Sequence, residues 1–268
     1  MGVFLLLPER SRGITIEPEV GALAPSFARR DPFRNKRCPM KRSAINEIIR
    51  ESDAFIRSFG YVMPPFAYWS PEEMKRRTSG DSARIRDHRL GWDITDYGQG
   101  KFDDLGLFLF TVRNGNNANV GRGRGMLYAE KIMISGENQI SPMHRHNLKT
   151  EDIINKGGGT LVLELFKAKP DGSIDENADV NTFTDGTART LAAGSLLKLA
   201  PGESVTLEPD TWHAFWGEGG KVLIGEVSNV NDDLTDNIFR EPIGRFSTVE
   251  DDAPPLHLLV SDYDHWLD

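Results

Sequence analysis

From Leu90 to Ser228 the chain breaks into short apolar runs separated by turn residues, and this pattern restricts the fold more than any other feature. Leu105 to Val112 is a continuous apolar run closed by Arg113-Asn114-Gly115, a turn signal. Leu127 to Ile134 alternates, with Lys131 set among apolar neighbours. Thr160 to Lys167 follows Gly157-Gly158-Gly159, which reads as a tight turn. Thr190 to Leu199, Ser204 to Leu207, His213 to Trp216 and Lys221 to Ser228 read as further strands, with Asp185-Gly186 and Pro201-Gly202 as turns. The expected fold class is therefore mainly β, a sandwich or barrel rather than a parallel α/β sheet.

The preceding segment has a different period. Ile45, Ile48, Ile49, Phe55, Ile56 and Phe59 fall on one helical stripe, with Ser43 as the expected N-cap and Gly60 as the stop. Ser70-Pro71-Glu72-Glu73 is a capping box with proline at the first helical position, so a second helix should run to about Arg77. Residues 1–39 are charged, interrupted by proline and without apolar period, and read as a poorly ordered N-terminal extension ahead of Met40. The expected organisation is one domain over 40–268, with a helical segment at about 40–89 and a barrel core at about 90–268.

Charge and cysteine usage exclude several classes. The net charge of -8 argues against a nucleic-acid binder. Cys38 is the single cysteine, so no intramolecular disulfide is possible, as suits a reducing compartment. The apolar start, Met1 to Leu7, is stopped by Pro8 and is too short for a signal peptide or a membrane span. The expectation is a soluble cytoplasmic protein with neither nucleic-acid nor membrane partners.

Two histidines one residue apart on a strand face the same way. His144 and His146 stand in that relation, and Glu151 follows shortly after. His213 enters a later aromatic strand through Glu208-Pro209-Asp210-Thr211-Trp212. Together they give three imidazoles and one carboxylate, a set that suits a borderline divalent metal and leaves coordination positions open for chemistry. His88, His257 and His265 lie in charged or terminal segments and are read as non-ligands.

His144-x-His146-x4-Glu151, with Gly157 six residues further on and His213 downstream, resembles the two metal motifs of the cupin superfamily. The second motif departs from the common form, lacking a glycine between Pro209 and His213. A closer resemblance, to the D-lyxose isomerase family, covers most of the chain from Met40. It is carried by Met40-Lys41-Arg42-Ser43, Pro65-Phe66-Ala67-Tyr68-Trp69, Leu90-Gly91-Trp92-Asp93-Ile94-Thr95-Asp96, Arg113-Asn114-Gly115 and Tyr128-Ala129-Glu130-Lys131. Glu151-Asp152-Ile153-Ile154-Asn155, the stretch from Gly225-Glu226-Val227-Ser228 to Asp232-Asp233, and Ile243-Gly244-Arg245-Phe246 add to it. The resemblance implies a cupin (jelly-roll) β-barrel with N-terminal helices packed on it, and a Mn2+ cofactor, with other divalent ions such as Co2+ as substitutes. It implies an aldose–ketose isomerase acting on D-lyxose and D-xylulose, and on D-mannose and D-fructose, by proton transfer through a metal-stabilised cis-enediol. The partner is then a small monosaccharide. A homodimer is expected, because cupins often pair through sheet edges or helices.

That chemistry needs a base and cationic contacts to sugar oxygens. Lys149, between His146 and Glu151, is a candidate for both catalysis and substrate binding. Lys131 is a candidate substrate contact if its strand face points into the barrel. Glu226 shares a face with Ile224 and Ser228, where desolvation would raise its carboxyl toward a useful base. Glu241 is the alternative base and Arg245 a substrate clamp. Phe66, Tyr68, Trp69, Trp92, Trp212, Phe215 and Trp216 read first as core packing and second as a sugar-stacking wall. Competing readings are a sugar-phosphate isomerase, disfavoured by the lack of a Gly-rich phosphate loop, a non-haem iron dioxygenase, and a non-catalytic sugar-binding cupin.

Overall fold

A computed structural model describes residues 39–267, so the extension expected over 1–39 lies, apart from Pro39, outside the described residues. A two-residue strand β1 (Met40–Lys41) leads into helices α1 (Arg42–Ser58), α2 (Pro71–Thr78) and α3 (Ala83–Asp87). Then follow β2 (Gly91–Thr95), β3 (Leu107–Arg113), α4 (Asn117–Val120), β4 (Tyr128–Ser135), β5 (Ser141–His146), β6 (Glu151–Ala168) and β7 (Ile174–Asp175). The chain continues through β8 (Val180–Thr184), β9 (Thr187–Leu191), β10 (Ser195–Leu199), β11 (Ser204–Leu207), β12 (Thr211–Asn229), β13 (Asn237–Phe239), β14 (Val249–Glu250) and α5 (Tyr263–Trp266).

Helix α1 forms where its apolar stripe allows. Ile45, Ile49 and Ile56 are fully buried, and Gly60, in the left-handed region at φ +74°, ends the helix by donating to the Arg57 carbonyl at 2.9 Å. The helix starts earlier than expected, with Lys41 at the cap. Ser43 instead donates to Asp252, and Arg42, 1% exposed, places its guanidinium on both Asp262 oxygens at 2.8 Å. A buried guanidinium needs that partner, and the helix start lies two residues before the expected cap. In α2 the expected cap forms, Ser70 Oγ accepting from the Glu73 N–H.

Twelve strands join one hydrogen-bonded network among the described residues, with the order β2-β3-β4-β12-β6-β11-β8-β9; β5 pairs with β12 and β13, and β10 with β6. β6 and β12, 18 and 19 residues long, serve two sheets. The first part of β6 pairs with β11 and with the last part of β12; its second part pairs with β10 and the first part of β12. This two-sheet β architecture with helices on its outer face is the jelly-roll class that the sequence led one to expect.

Two apolar clusters explain why the Leu105 to Val112 run is apolar on both faces. Phe108 and Phe110 join Trp92, Ile94, Ile132, Ile134 and α1 in an outer cluster between helix and sheet. Leu107 and Leu109 join Met133, Ile153, Phe215 and Ile224 between the sheets. Asp93, between Trp92 and Ile94 on β2, therefore faces inward and is buried.

Three strand expectations change. Thr190 to Leu199 divides into β9 and β10, and His213 to Ser228 is continuous within β12. Gly157-Gly158-Gly159 forms no hairpin turn; it lies inside β6, where the pairing with β12 slips between Glu218 and Val222. Such irregularities bend a strand, and here they carry β6 from one sheet to the other. Only glycine fits: Gly158 has φ +97°, and a Cβ there would lie 2.2 Å from the Lys221 carbonyl oxygen. Gly158→Ala should lower stability by about 2–4 kcal/mol, read by denaturant unfolding, because strain and overpacking add.

Candidate metal centre and active site

The three histidines meet because β5 and β12 are neighbours. His144 and His213 are register partners, and His146 lies two residues along on the same face of β5. One ring nitrogen of each, taken together, falls within 4.8 Å of the others, in a group that could hold a metal ion. Each Nδ1 lies against a backbone carbonyl: His144 on Pro142 at 2.8 Å, His146 on Asp236 at 3.0 Å and His213 on Thr211 at 3.0 Å. A carbonyl can only accept, so each Nδ1 carries the proton and each Nε2 presents a lone pair. The buried Nε2 atoms of His146 and His213 have no hydrogen-bond partner. Both face Glu151 Oε1, at 3.3 and 3.2 Å.

Lone pairs turned on a carboxylate oxygen repel unless a cation lies between them, so the donor set fits a divalent ion. Burial and the neighbouring imidazoles His213 and His146 hold His144 well below the usual imidazole range. His146 is lowered by burial and then by Lys149. Both rings are therefore neutral at physiological pH, as metal ligation requires.

A chain of buried and half-buried charges of alternating sign runs away from this centre. Lys149 Nζ lies 2.5 Å from Glu151 Oε2 and 3.0 Å from Glu226 Oε1. Lys131 Nζ is 3.3 Å from the same Glu226 oxygen, 3.7 Å from Asp233 and 2.6 Å from Asn231 Oδ1. Arg245 reaches Asp233 at 3.4 Å and Asp93 at 2.9 Å. Four carboxyls face three cations, so with all ionised the chain carries one net negative charge beside the orphaned imidazole nitrogens.

These pairings set the carboxyl groups. Burial pushes Glu226 up, but Lys131 and Lys149 outweigh it and hold it below the ordinary value. The expected upward shift of Glu226 is therefore corrected: sequence shows the apolar neighbours on its strand but not the two lysines that converge on it from β4 and the β5–β6 loop. Burial also pushes Glu151 up, and Lys149 followed by His146 hold it well below. At the far end the balance reverses. Burial raises Asp93 more than Arg245 lowers it, and neither Asp93 oxygen has an aligned hydrogen-bond donor.

The cavity beside the centre, about 40 Å³, is lined by His144, His146, Glu151, Lys149, Lys131, Glu226 and Arg245, with Met133, Tyr97, Phe215 and Phe239 as apolar walls. That volume suits only a few water molecules as the side chains stand. Seven of the expected site residues are thus brought together with His213, and all but His213 line the cavity itself. Glu241 is not among them: it is exposed and pairs with Arg240 at 3.2 Å. Of the aromatic candidates only Phe215 lines the cavity; Trp92 and Phe66 pack with α1, Trp69 packs against the C-terminal segment, and Trp212 belongs to a separate cluster. His88 lies against the Asn114 carbonyl and His257 stacks on Trp92. Sequence reasoning assigned no role to Asp93, Asp233, Asp236, Tyr97 or Phe239. An inward parity for Asp93 between Trp92 and Ile94, and a dense Asn/Asp run just after the strand bearing Glu226, were the available signals.

Residues 40–263 match the D-lyxose isomerase family. The chain belongs to that family. It is 46% identical over 226 residues to the D-lyxose/D-mannose isomerase of Serratia proteamaculans, covering 84% of this chain and 98% of that protein. It is 41% identical over 230 residues to the enzyme of the same name from Escherichia coli O157:H7, again covering 84% and 98%. Among solved structures, L-ribose isomerase of Acinetobacter sp. DL28 superposes with a TM-score of 0.53 at 15% identity, over 79% of this chain and 98% of that one. At that identity the likeness concerns the fold.

The cation at the head of the charge chain generates a prediction for this family member. Arg245→Met strands Asp93 and Asp233 without a guanidinium and should cost about 3–5 kcal/mol at neutral pH, read by denaturant unfolding. Burial pushes Asp233 up, but Arg245 and then Lys131 hold it far below its ordinary value. Its contribution to stability is then complete above its unfolded value of about 4 and is lost as pH falls below it. The variant should lose less stability than the parent protein between about pH 4 and pH 2; an unchanged acid slope would refute the pairing.

Proposed function

We propose that the protein is a divalent-metal-dependent aldose–ketose isomerase that interconverts D-lyxose with D-xylulose and D-mannose with D-fructose. The reading rests on one observation above all: three imidazole lone pairs and Glu151 Oε1 converge beside the buried lysines and Glu226, in a member of the D-lyxose isomerase family. His144, His146, His213 and Glu151 hold the ion. Imidazoles with one hard carboxylate suit Mn2+, with Co2+ as a substitute. Bound there, the ion supplies the Lewis acidity that polarises the sugar carbonyl and favours loss of the neighbouring carbon proton.

The remaining work belongs to side chains. Lys149 stays protonated between Glu151 and Glu226: burial lowers it, but the two carboxylates outweigh this and raise it. It donates to a sugar oxygen where negative charge develops. Glu226 is the base. Lys131 and Lys149 keep it ionised, and it takes the proton from one carbon and returns it to the next on the same face of the cis-enediol. Its position on the cavity favours it over exposed Glu241. Lys131 and Arg245 bind the sugar hydroxyls.

The reading extends to the whole chain. Residues 40–268 act as one domain with 1–39 as an extension, a division that agrees with the start of the family match at residue 40. The single cysteine supports a cytoplasmic setting, and no helix of the described residues is long and apolar enough to cross a membrane. The protein works as a homodimer: among the described residues β9 ends the sheet with an unpaired edge, which a second copy would cover.

The decisive experiment strips the protein with a chelator, reloads it with Mn2+, and supplies D-lyxose or D-mannose. Ketose should form only after reloading. His144→Ala and His213→Ala should each abolish Mn2+ binding and turnover; full activity in either would show the ligand set to be wrong. Glu226→Gln should lower kcat by at least about 100-fold, and Glu241→Gln by no more than about twofold. Turnover confined to phosphorylated sugars, or O2 consumption with Fe2+ in place of ketose formation, would overturn the assignment.

A further inference from the structure

Asp236 does not line the cavity and does not touch the ring nitrogens that face Glu151, yet it contacts the site's backbone at several points. Its side chain accepts from three successive backbone N–H groups of the loop between β5 and β6. Oδ1 takes Asn147 at 2.9 Å and Leu148 at 3.0 Å, and Oδ2 takes Lys149 at 3.0 Å. Its own carbonyl lies 3.0 Å from His146 Nδ1, and its N–H donates to the Asp232 carbonyl at 3.1 Å. The next residue, Asn237, is the register partner of His146 in the β13–β5 pair.

The loop needs such a partner. Residues 147–150 lie between two strands, Asn147 is exposed with its side chain held by Arg145, and Leu148 is 79% exposed, so burial of these two side chains does not fix the backbone before Lys149. Yet this loop sets the spacing between His146 and Glu151 and carries Lys149, whose ammonium reaches both Glu151 and Glu226. Asp236 is 6% exposed, so its charge is withdrawn from water and is satisfied by the amides it collects.

We propose that Asp236 is a positioning residue for the isomerase centre: its carboxylate clamps the 147–149 backbone, and its carbonyl fixes the tautomer and ring direction of His146. The proposal rests on the metal-dependent reading above. Two elements that meet only in the folded protein are joined by one residue, so the spacing of His146, Lys149 and Glu151 is set by contact rather than by the loop's own preference.

Asp236→Asn tests this with almost no change of shape. The amide oxygen still accepts from Asn147 and Leu148, but its NH2 group faces the Lys149 N–H, donor against donor. Mn2+ affinity, measured by calorimetry on the chelator-treated chain, should weaken by about 10–100-fold, the usual effect of losing a group that orients a metal ligand. At saturating Mn2+, kcat should remain at least about tenfold low while KM changes less, because Lys149 is displaced. Amide exchange at 147–149 should accelerate with far-UV circular dichroism unchanged. A folded variant whose Mn2+ affinity and kcat both stay within about twofold of the parent would overturn the proposal. Should the variant fail to fold, exchange in the parent holoenzyme decides: protected amides at 147–149, in spite of the exposed side chains of Asn147 and Leu148, support the clamp, and exchange at open-loop rates overturns it. Failure of the parent protein itself to bind Mn2+ would instead refute the metal reading and this proposal with it.

Discussion

The pairing of β6 with β12 is the contact on which the rest of the structure depends. Each strand is long enough to belong to two sheets, and each changes sheet where its pairing slips near Gly157–Gly159 and Glu218–Val222. One end of the pair delivers Glu151 and Glu226, the other delivers His213 to His144. A straight ladder of this length would separate those groups by many residue rises of about 3.3 Å each. Because both strands bend, the imidazoles of one sheet and the carboxylates of the other face a common interior. The glycines are a requirement of the site as much as of the fold.

Withdrawing seven ionisable groups wholly or largely from water is costly, and the arrangement of signs makes it tolerable. From Asp93 through Arg245, Asp233, Lys131, Glu226 and Lys149 to Glu151, each charge has an opposite neighbour within 3.7 Å. A single buried ion pair often fails to repay its desolvation; a chain shares each charge between two partners and lowers the cost per group. The two ends differ. Asp93 ends the chain with no aligned donor, while Glu151 ends it against imidazole lone pairs. The end that faces unpartnered lone pairs is the end where the three imidazoles converge.

The barrel was legible in the sequence because its signals are local. Alternation, apolar runs and Asn-Gly or Asp-Gly turns act over a few residues, and His144, His146 and Glu151 declare themselves through spacing alone. The Ser70 cap and the Gly60 stop are of the same kind. What sequence missed depends on contacts far apart in the chain. Glu226 looks like a desolvated base until Lys131 and Lys149 arrive across the sheet. Ser43 looks like an N-cap until Asp252 and Asp262, more than two hundred residues on, claim the helix start. Gly157-Gly158-Gly159 reads as a turn because glycine reports an unusual backbone angle without saying whether the chain reverses or only bends. Glu241 sits in a family-like segment, and proximity in sequence to Arg245 does not carry it to the cavity.

Glu151 shows how these layers meet in one residue. Its two oxygens divide between two kinds of partner: Oε2 takes the Lys149 ammonium, and Oε1 faces the Nε2 atoms of His146 and His213. Lys149 thereby keeps the carboxylate ionised from one side while leaving the other side free to act as a ligand. The same burial that would protonate an isolated carboxyl keeps the imidazoles His144 and His146 neutral. Opposite demands, an ionised acid and uncharged bases in one dry pocket, are met because the lysine is placed beside the acid and away from the convergence point. The proposed ligands are thus held in the protonation states that metal binding needs, and the position of Lys149, rather than the identity of the four ligands, is what makes that combination stable.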